Sequence, residues 1–337
     1  MIVWWLLLAV FAVSWVLTLG LRRYALAKSL MDIPNERSAH SVPTPRGGGV
    51  AIVISFLLAL PVLAELDLLG TAALYGLLGS GLIVAVIGFV DDHGHIAARW
   101  RLLGHFIAAA WALFWLDGLA PIELFDTTIE LRWFGHLLAL IYLVWMLNLY
   151  NFMDGIDGLA SAEGISSCLG MCLVYWFSEN VDLIWAPLML GAAVAGFLWW
   201  NFPPARIFMG DVGSGFLGLI LGVFALEAAW HKPELLWSWI ILLGVFIVDA
   251  TWTLARRLIR GDRVYQAHSS HGYQHAARRV GHKNVTLTVV AINVVFLFPV
   301  SILVALNQLS VVVGLLVAFV PLIFIGYLFG AGKAQTV

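Results

Sequence analysis

Carboxylates, amides and glycines cluster where long apolar stretches of this sequence end. The apolar stretch that finishes near residue 90 runs directly into Asp91 and Asp92. Two adjacent carboxylates repel each other and resist leaving water unless a cation or a hydrogen-bond donor compensates them. An isolated Asp-Asp pair is also typical of an acidic, solvated helix end, so its interpretation depends on the motifs around it.

A second motif, NLYNFMDGIDG, occupies residues 148–158. Asn148 and Asn151 lie three residues apart and share a helix face, so their amides point towards the region of Asp154. The glycines allow the backbone to approach a ligand closely. An Asx-rich connecting turn needs fewer polar groups than this motif holds. The motif therefore favours ligand binding by its two asparagines, Asp154 and Asp157.

A third motif, NFPPARIFMGDVGSG, occupies residues 201–215. Its glycines surround one carboxylate, Asp211, and one hydroxyl, Ser214, where the next apolar stretch begins. Free backbone N–H groups at the start of a helix favour phosphate. The alternative interpretation is a glycine-rich entry into a packed helix.

The segment 255–284 contains seven basic residues and four histidines, His268, His271, His275 and His282. Its arginines are also consistent with contact to anionic lipid headgroups, and a loop histidine such as His271 is often only solvated. Asp249 precedes this segment. A structural hydrogen bond or a pair with a neighbouring arginine explains Asp249 as well as chemistry does, so we leave it out of the catalytic set.

The five motif aspartates, Asp91, Asp92, Asp154, Asp157 and Asp211, are expected at one membrane depth. Mg²⁺ takes hard oxygen ligands, keeps several waters, and typically binds one or two carboxylates plus substrate phosphates. The aspartates therefore predict a Mg²⁺-dependent site that handles a diphosphate, with Mn²⁺ as an alternative ion. A cysteine-rich or multi-histidine transition-metal site is not supported.

Composition makes the bilayer the main solvent of this chain. Hydrophobic residues account for 62% of the 337 positions and charged residues for 11%, too few to cover a water-soluble globule. A net charge of -2 gives no reason to expect nucleic-acid binding. Cys168 and Cys172 lie one helical turn apart in an apolar stretch, so we interpret them as packed thiols.

Apolar runs long enough to cross a bilayer predict an all-α, polytopic membrane protein with 10–11 transmembrane helices in one domain, residues 1–337. The first run is expected to be a retained span because its basic pair follows it. The fourth run is short enough to be tilted or embedded. The predicted cores are 3–20, 47–64, 70–90, 102–116, 134–150, 159–178, 184–200, 213–230, 235–254, 285–306 and 309–331.

Lysine and arginine positions predict a periplasmic N-terminus and a cytoplasmic C-terminus. That orientation places 16 of the 18 basic residues inside and leaves only Arg132 and Lys232 outside. It makes the motif-bearing loops cytoplasmic and puts the site on the inner face of a bacterial inner membrane. These loops are about 21–46, 91–101, 151–158, 201–212 and 255–284.

The ordered motifs resemble those of the polyprenyl-phosphate N-acetylhexosamine-1-phosphate transferases, glycosyltransferase family 4. The resemblance covers about residues 30–280, and the segment PTPRGGG at 43–49, which includes Arg46, is similar to a further signature of that family. It implies that undecaprenyl phosphate attacks the β-phosphate of a UDP-N-acetylamino sugar, giving undecaprenyl-diphosphate-sugar and UMP. Membrane lipid would surround the protein, which would be a monomer or a homodimer.

The resemblance also implies residue roles. Asp91 would be a base or phosphate-orienting group, Asp92 its neighbour in the metal and phosphate site, and Asp211 the principal Mg²⁺ ligand. A phosphate monoester is largely ionised near neutral pH, so positioning and charge neutralisation supply most of the rate. The expected catalytic residues are Asp91, Asp92, Asp211 and His271, and the expected metal ligands are Asp211, Asp91 and Asp92. The expected substrate-binding residues are Asn148, Asn151, Asp154, Asp157, Phe208, which would stack on uracil, and Arg46.

The segment AHSSHGYQ at 267–274 departs from the histidine cluster of the N-acetylglucosamine and muramoyl branches, because only His271 keeps a cluster position. It resembles the O-antigen-initiating branch, which transfers 6-deoxy sugars such as N-acetylfucosamine or N-acetylquinovosamine. An enzyme specific for UDP-N-acetylglucosamine is the alternative within this chemistry, and N-acetylgalactosamine also stays open. A transporter or lipid flippase would place its polar groups near the bilayer midplane, and an inactive scaffold would not need so many carboxylates.

Overall fold

The computed structural model describes residues 2–34, 42–94, 96–124, 127–262 and 268–333. Arg37, Arg263 and Ala267, which enter the sequence predictions above, lie outside these ranges. Two short antiparallel hairpins accompany the helices: β1 (Met31–Asp32) with β2 (Thr44–Pro45), and β3 (Ile122–Leu124) with β4 (Thr127–Ile129). The helices are α1 (Ile2–Ala27), α2 (Gly49–Glu65), α3 (Thr71–His93), α4 (Ala98–Trp115), α5 (Arg132–Met153), α6 (Leu159–Phe177), α7 (Trp185–Asn201), α8 (Asp211–His231), α9 (Pro233–Leu242), α10 (Gly244–Arg260), α11 (Gly272–Val280), α12 (His282–Ile292), α13 (Phe298–Ala305) and α14 (Val311–Leu328).

The all-α polytopic membrane architecture is confirmed, and every predicted span coincides with helix. In the described ranges, eight helical stretches are long and apolar enough to cross a membrane, or nine if the bent pair of α9 and α10 is one span. α2 has 17 residues, one fewer than the shortest of these stretches, and the total in the described ranges stays below the 10–11 spans predicted. The buried Cys168 and Cys172 are free thiols packed in α6, as expected.

The ninth span was predicted to be continuous over 235–254, which is wrong. α9 and α10 meet at an angle of 72° near Leu243. α10 buries Phe246 and Ala250 on one side and leaves Leu258 and Ile259 exposed on another. An amphipathic helix with three arginines in its second half is more stable at a membrane surface than across the apolar layer.

α8 lies at the centre of the bundle, almost entirely buried, in contact with α2, α3, α5 and α9. Gly218 and Gly222, one turn apart, face α5. A Cβ atom added to Gly218 would lie 2.7 Å from the Cβ of Tyr150. Small residues at this spacing let two membrane helices approach closely. The close contact fixes where α5 ends relative to the start of α8.

Other glycines bring α2 and α3 to the start of α8. A Cβ atom on Gly49 would lie 2.6 Å from the backbone nitrogen of Gly213, and one on Gly88 would lie 2.7 Å from that of Val212. The segment before α2 is attached to the loop before α8, because the Phe208 N–H donates to Pro45 O at 2.8 Å. The ends that carry the sequence motifs therefore meet at one end of the bundle.

We expect Gly88→Val to separate the end of α3 from the start of α8. The added side chain overlaps backbone atoms, which cannot move as a flexible side chain would, and overpacking of this kind costs about 1–3 kcal/mol. The midpoint of thermal unfolding should fall. Gly20→Val is the matched control, because a Cβ atom there meets nothing within 4 Å. Equal midpoints for the two variants would contradict the close approach.

Candidate active site

A cavity of about 230 Å³ lies where the ends of α3 and α5 meet the starts of α8 and α12. Seven of the ten residues predicted for the site line it. The predicted residues in the lining are Arg46, Asp92, Asn151, Asp154, Asp157, Phe208 and Asp211. The remaining lining residues are Asp32, Gly155, Ile156, Asn201, Gly210, Ser214, Gln274 and His282.

Asp92 lies buried in the last turn of α3 and faces the first turn of α8. Its carboxylate accepts hydrogen bonds from the backbone N–H groups of Asp211 at 3.3 Å and Val212 at 3.4 Å. The next two amides of α8 donate to Gly210 O. The sequence predicted free amides there for a phosphate, and this detail is wrong, because the protein's own carboxylate occupies that position. Phosphate charge must be balanced by other groups.

Asn151 connects the end of α5 to the start of α8. Its side-chain amide donates to Asp211 Oδ1 at 2.9 Å and to Ser214 Oγ at 3.1 Å. Both of these bonds orient oxygen-bearing side chains that line the cavity. Asn151 therefore contributes to the site by positioning Asp211.

Asp91 does not line the cavity, although it touches the same network. Its Oδ2 lies 2.5 Å from Arg101 Nη1, and its Oδ1 accepts from the Ile96 N–H at 3.0 Å. The same Arg101 nitrogen lies 3.6 Å from Asp211 Oδ2. Arg101 thus connects Asp91 to the cavity. The sequence analysis used Arg101 only to orient the chain, although its position ten residues after Asp91 was a usable signal.

Asp154 lies in the cavity wall just after α5. Burial, together with the nearby carboxylates of Asp211, Asp92 and Asp157, raises the pKa of Asp154 well above its usual value. Burial is the larger cause of the raised pKa, and the neighbouring negative charges add to it. A cation in the cavity would relieve this repulsion.

Asp157 joins three segments of the chain. Its Oδ2 accepts from the Ala205 N–H at 2.9 Å, and its Oδ1 lies 3.2 Å from His282 Nδ1. Its backbone oxygen accepts from Thr286 Oγ1 at 3.0 Å. Asp157 therefore holds the loop before α8 and the start of α12 against the cavity, in addition to lining it.

Asn148 and His271 are not brought to the cavity. The Asn148 amide donates to Val144 O within its own helix, at 2.7 Å. The side chain of His271 is 4% exposed and its Nδ1 lies 3.4 Å from Asp249 Oδ1. The structure therefore does not support the predicted direct contact of Asn148 and His271 with a ligand in the cavity.

Asp249 anchors the start of α11. It accepts hydrogen bonds from the backbone N–H groups of Gly272 at 2.9 Å and Tyr273 at 2.8 Å, and from Thr253 Oγ1 at 3.1 Å. Of the two alternatives considered for Asp249, the structural hydrogen bond is the one found. A carboxylate at a helix N-terminus is favourable because the amide dipoles point towards it.

Gln274 is the residue that α11 presents to the cavity. Its Oε1 accepts from the His271 N–H at 3.2 Å, which caps the helix and fixes the orientation of the side-chain amide. Gln274, Asp32 and His282 were missed as site residues. Gln274 and His282 belong to the segment flagged for its histidines, but periodicity could not show which of its side chains turn inward.

The donor set fits a divalent cation. Five aspartates line the cavity, against one arginine and one histidine. In the described ranges, no group of three or more His, Cys, Asp or Glu side chains is arranged to hold a metal unaided. Mg²⁺ needs only one or two carboxylates when substrate phosphates complete its coordination. Asp211 and Asp92 both line the cavity and would be the residues to hold such an ion.

Comparison with known proteins decides the family. Residues 74–229 match the family described as Glycosyl transferase family 4. The chain is 31% identical over 312 residues to a decaprenyl-phosphate N-acetylglucosaminephosphotransferase of Mycolicibacterium smegmatis, covering 81% of this chain and 73% of the relative. This chain belongs to the polyprenyl-phosphate hexosamine-1-phosphate transferase superfamily.

Two further relatives support the same membership. A probable undecaprenyl-phosphate N-acetylglucosaminyl 1-phosphate transferase of Bacillus subtilis is 29% identical over 321 residues, covering 92% of this chain and 86% of the relative. A phospho-N-acetylmuramoyl-pentapeptide-transferase of Kocuria rhizophila is 31% identical over 301 residues, covering 73% and 78%. The predicted family is confirmed, and so is the prediction that the chain is a phosphotransferase enzyme.

Proposed function

We propose that this transferase moves an N-acetylamino-sugar-1-phosphate from a UDP-sugar to undecaprenyl phosphate, giving undecaprenyl-diphosphate-sugar and UMP. In this proposal the cavity opens on the cytoplasmic side of a bacterial inner membrane, and the reaction starts an O-antigen or related surface polysaccharide. The observation that carries the proposal is a single cavity, at the ends of membrane helices, whose lining holds five carboxylates and Arg46. A diphosphate bound with a divalent cation matches that charge pattern.

The reaction exchanges one phosphorus–oxygen bond for another. An oxygen of the acceptor phosphate attacks the β-phosphorus of the UDP-sugar, and the bond from that phosphorus to the oxygen bridging it to the α-phosphorus breaks. UMP leaves with that oxygen, and the β-phosphate stays on the sugar. The acceptor phosphate is already largely ionised near neutral pH, so no residue has to remove a proton.

The protein's own groups then act by positioning and by charge. Arg46 lines the cavity and is held there by a hydrogen bond from its Nη2 to Asp92 O, at 2.7 Å. It is placed to meet a phosphate oxygen, and a guanidinium matches phosphate geometry. Arg101 lies between the carboxylates of Asp91 and Asp211. Its positive charge reduces their repulsion of a bound phosphate. Phe208 lines the cavity beside Arg46 and is proposed to stack on uracil.

Asp211 and Asp92 would hold Mg²⁺, with Mn²⁺ as an alternative. When bound, the ion supplies charge neutralisation at the diphosphate and at the departing UMP oxygen. Asn151 orients Asp211 for this role through its 2.9 Å hydrogen bond. Asp91 is proposed to act through Arg101, which is consistent with a phosphate-orienting role and makes a base role unnecessary.

The nature of the sugar rests on the segment around Gln274. Its departure from the family's histidine cluster supports a 6-deoxy amino sugar such as N-acetylfucosamine or N-acetylquinovosamine. The second candidate is N-acetylglucosamine, which is favoured by the names of the Bacillus subtilis and Mycolicibacterium smegmatis relatives.

We expect Asp211→Asn to abolish most UMP release from a UDP-sugar in membranes supplied with undecaprenyl phosphate and Mg²⁺, and Asp91→Asn to reduce it. Loss of a charge that stabilises phosphoryl transfer typically costs on the order of 10²-fold or more. EDTA should stop release, and added Mg²⁺ should restore it. Asp262→Asn is the matched control, because Asp262 pairs with Arg260 away from the cavity. Full release by both site variants, or undiminished release in EDTA, would contradict the proposal.

We expect a panel of UDP-N-acetylfucosamine, UDP-N-acetylquinovosamine and UDP-N-acetylglucosamine to show a preferred 6-deoxy donor. Gln274→Met keeps the size of the side chain but removes its amide, so it should raise KM for the preferred donor more than it lowers kcat. KM and kcat are measured for each donor with both enzymes. A wild-type preference for UDP-N-acetylglucosamine would select the second candidate, and an unchanged KM in the variant would remove Gln274 from donor recognition.

A further inference from the structure

A second cavity, of about 140 Å³, lies between α10, α11, α12 and α14. We call it the α10–α14 slot. Its lining is apolar apart from Asp249, Thr288 and the ring edges of Trp252 and Tyr273. Eight of its sixteen lining residues are valine, leucine or isoleucine.

The slot opens towards the lipid side of the bundle. Val280, Thr288 and Ile325 belong to three different helices, line the slot, and are themselves exposed. Asp249 also lines the slot, but its carboxylate is already satisfied by the two amides of α11 and by Thr253. The remaining surface needs an apolar occupant, since open apolar surface between membrane helices is filled by hydrocarbon.

Two guanidinium groups pack on aromatic rings at the end of α14, the helix that contributes Phe329 to the slot. Arg279 Cζ is 5.8 Å from the ring centre of Phe329, which lines the slot, and Arg256 Cζ is 5.9 Å from that of Tyr327. Arg256 also donates to Ala331 O at 2.7 Å, which holds it there. Both positive charges therefore lie near the end of α14 that borders the slot.

The chain near the slot is rich in basic residues and carries exposed apolar side chains, as a surface in contact with a membrane does. The segment 255–284 contains seven basic residues and one acidic residue. Next to the arginines of α10, Leu258 is 65% and Ile259 87% exposed. Exposed apolar side chains beside arginines are typical of a helix that lies in the headgroup region of an anionic bilayer.

We propose that the α10–α14 slot binds one acyl chain of an anionic phospholipid whose phosphate lies between Arg256 and Arg279. A dry apolar cavity of ~150 Å³ holds a benzene-sized molecule, so the slot takes a stretch of about six chain carbons. Charge complementarity selects an anionic headgroup, because Arg binds phosphate through paired N–H groups. The headgroup of a zwitterionic lipid carries a positive charge beside its phosphate. The two arginines repel that charge, so such a lipid binds less well.

Occupancy of the slot acts on the candidate site through α11. Tyr273 lines the slot and its neighbour Gln274 lines the catalytic cavity. The Tyr273 hydroxyl also donates to Phe152 O at 2.9 Å, in the last turn of α5. A chain in the slot packs against α11 and stabilises the position from which Gln274 faces the cavity. This effect on turnover rests on the proposed function, whereas lipid binding itself does not.

The test measures lipid retained by the purified full-length protein, using native mass spectrometry after titration with phosphatidylglycerol or phosphatidylcholine. Wild type should retain one phosphatidylglycerol at concentrations where phosphatidylcholine is lost. The pair Arg256→Gln and Arg279→Gln should weaken phosphatidylglycerol by about tenfold or more. Gly326→Leu should weaken it as well by filling the slot, and a Cβ atom there is tolerated because its nearest neighbour is 3.8 Å away.

Arg99→Gln is the matched control, because Arg99 is an exposed arginine that packs on Trp100 at the start of α4. Unchanged phosphatidylglycerol binding in both the arginine pair and Gly326→Leu would overturn the proposal. Displacement of bound phosphatidylglycerol by equimolar undecaprenyl phosphate would also overturn it, since the slot would then belong to the acceptor. Failure of the UMP assay with intact lipid binding would refute the proposed function and leave the lipid site standing.

Discussion

The contact between the Asp92 carboxylate and the first amides of α8 is the interaction on which the rest of the site depends. A helix N-terminus attracts an anion, and here the anion comes from the end of α3. The glycine at position 88 permits the contact, because any side chain there would strike Val212. Asp92 is thereby fixed, Arg46 is fixed to Asp92 O, and Asp211 faces the cavity at the first position of α8.

Charge balance explains the arrangement around that contact. Asp211 is held by the Asn151 amide on one oxygen and approached by Arg101 on the other, whereas Asp154 has carboxylates as its nearest charged neighbours. Arg101 thus offsets part of the charge of Asp91 and Asp211 but not that of Asp154. An excess of buried negative charge is costly unless a cation compensates it. A divalent ion meets that requirement, and substrate phosphates can complete its coordination.

The sequence predicted those features that local patterns determine. Apolar runs located the helices that could span a membrane in the described ranges, although not the break in the ninth. Motifs at the ends of these runs predicted the lining by Asp92, Asn151, Asp154, Asp157 and Asp211, because residues at the ends of neighbouring helices have few directions in which to point. The 72° break after α9 was not predicted, because the break falls at Leu243 and Gly244, where no proline marks it. The contacts of Arg101 with Asp91 and of Asp249 with α11 depend on the conformation of loops. The same is true of the choice of Gln274, and not His271, as the side chain that lines the cavity. Single-sequence periodicity contains no information on those contacts.

The most direct measurement of the central claim is electron paramagnetic resonance of Mn²⁺ added to the purified protein with a UDP-sugar. A metal held jointly by Asp211 and the diphosphate predicts one bound Mn²⁺ per chain with hyperfine coupling to ³¹P, and loss of that coupled signal in Asp211→Asn. The Asp262→Asn control should retain it. A wild-type spectrum without ³¹P coupling, or a coupled signal that survives Asp211→Asn unchanged, would contradict a metal–diphosphate site at the start of α8.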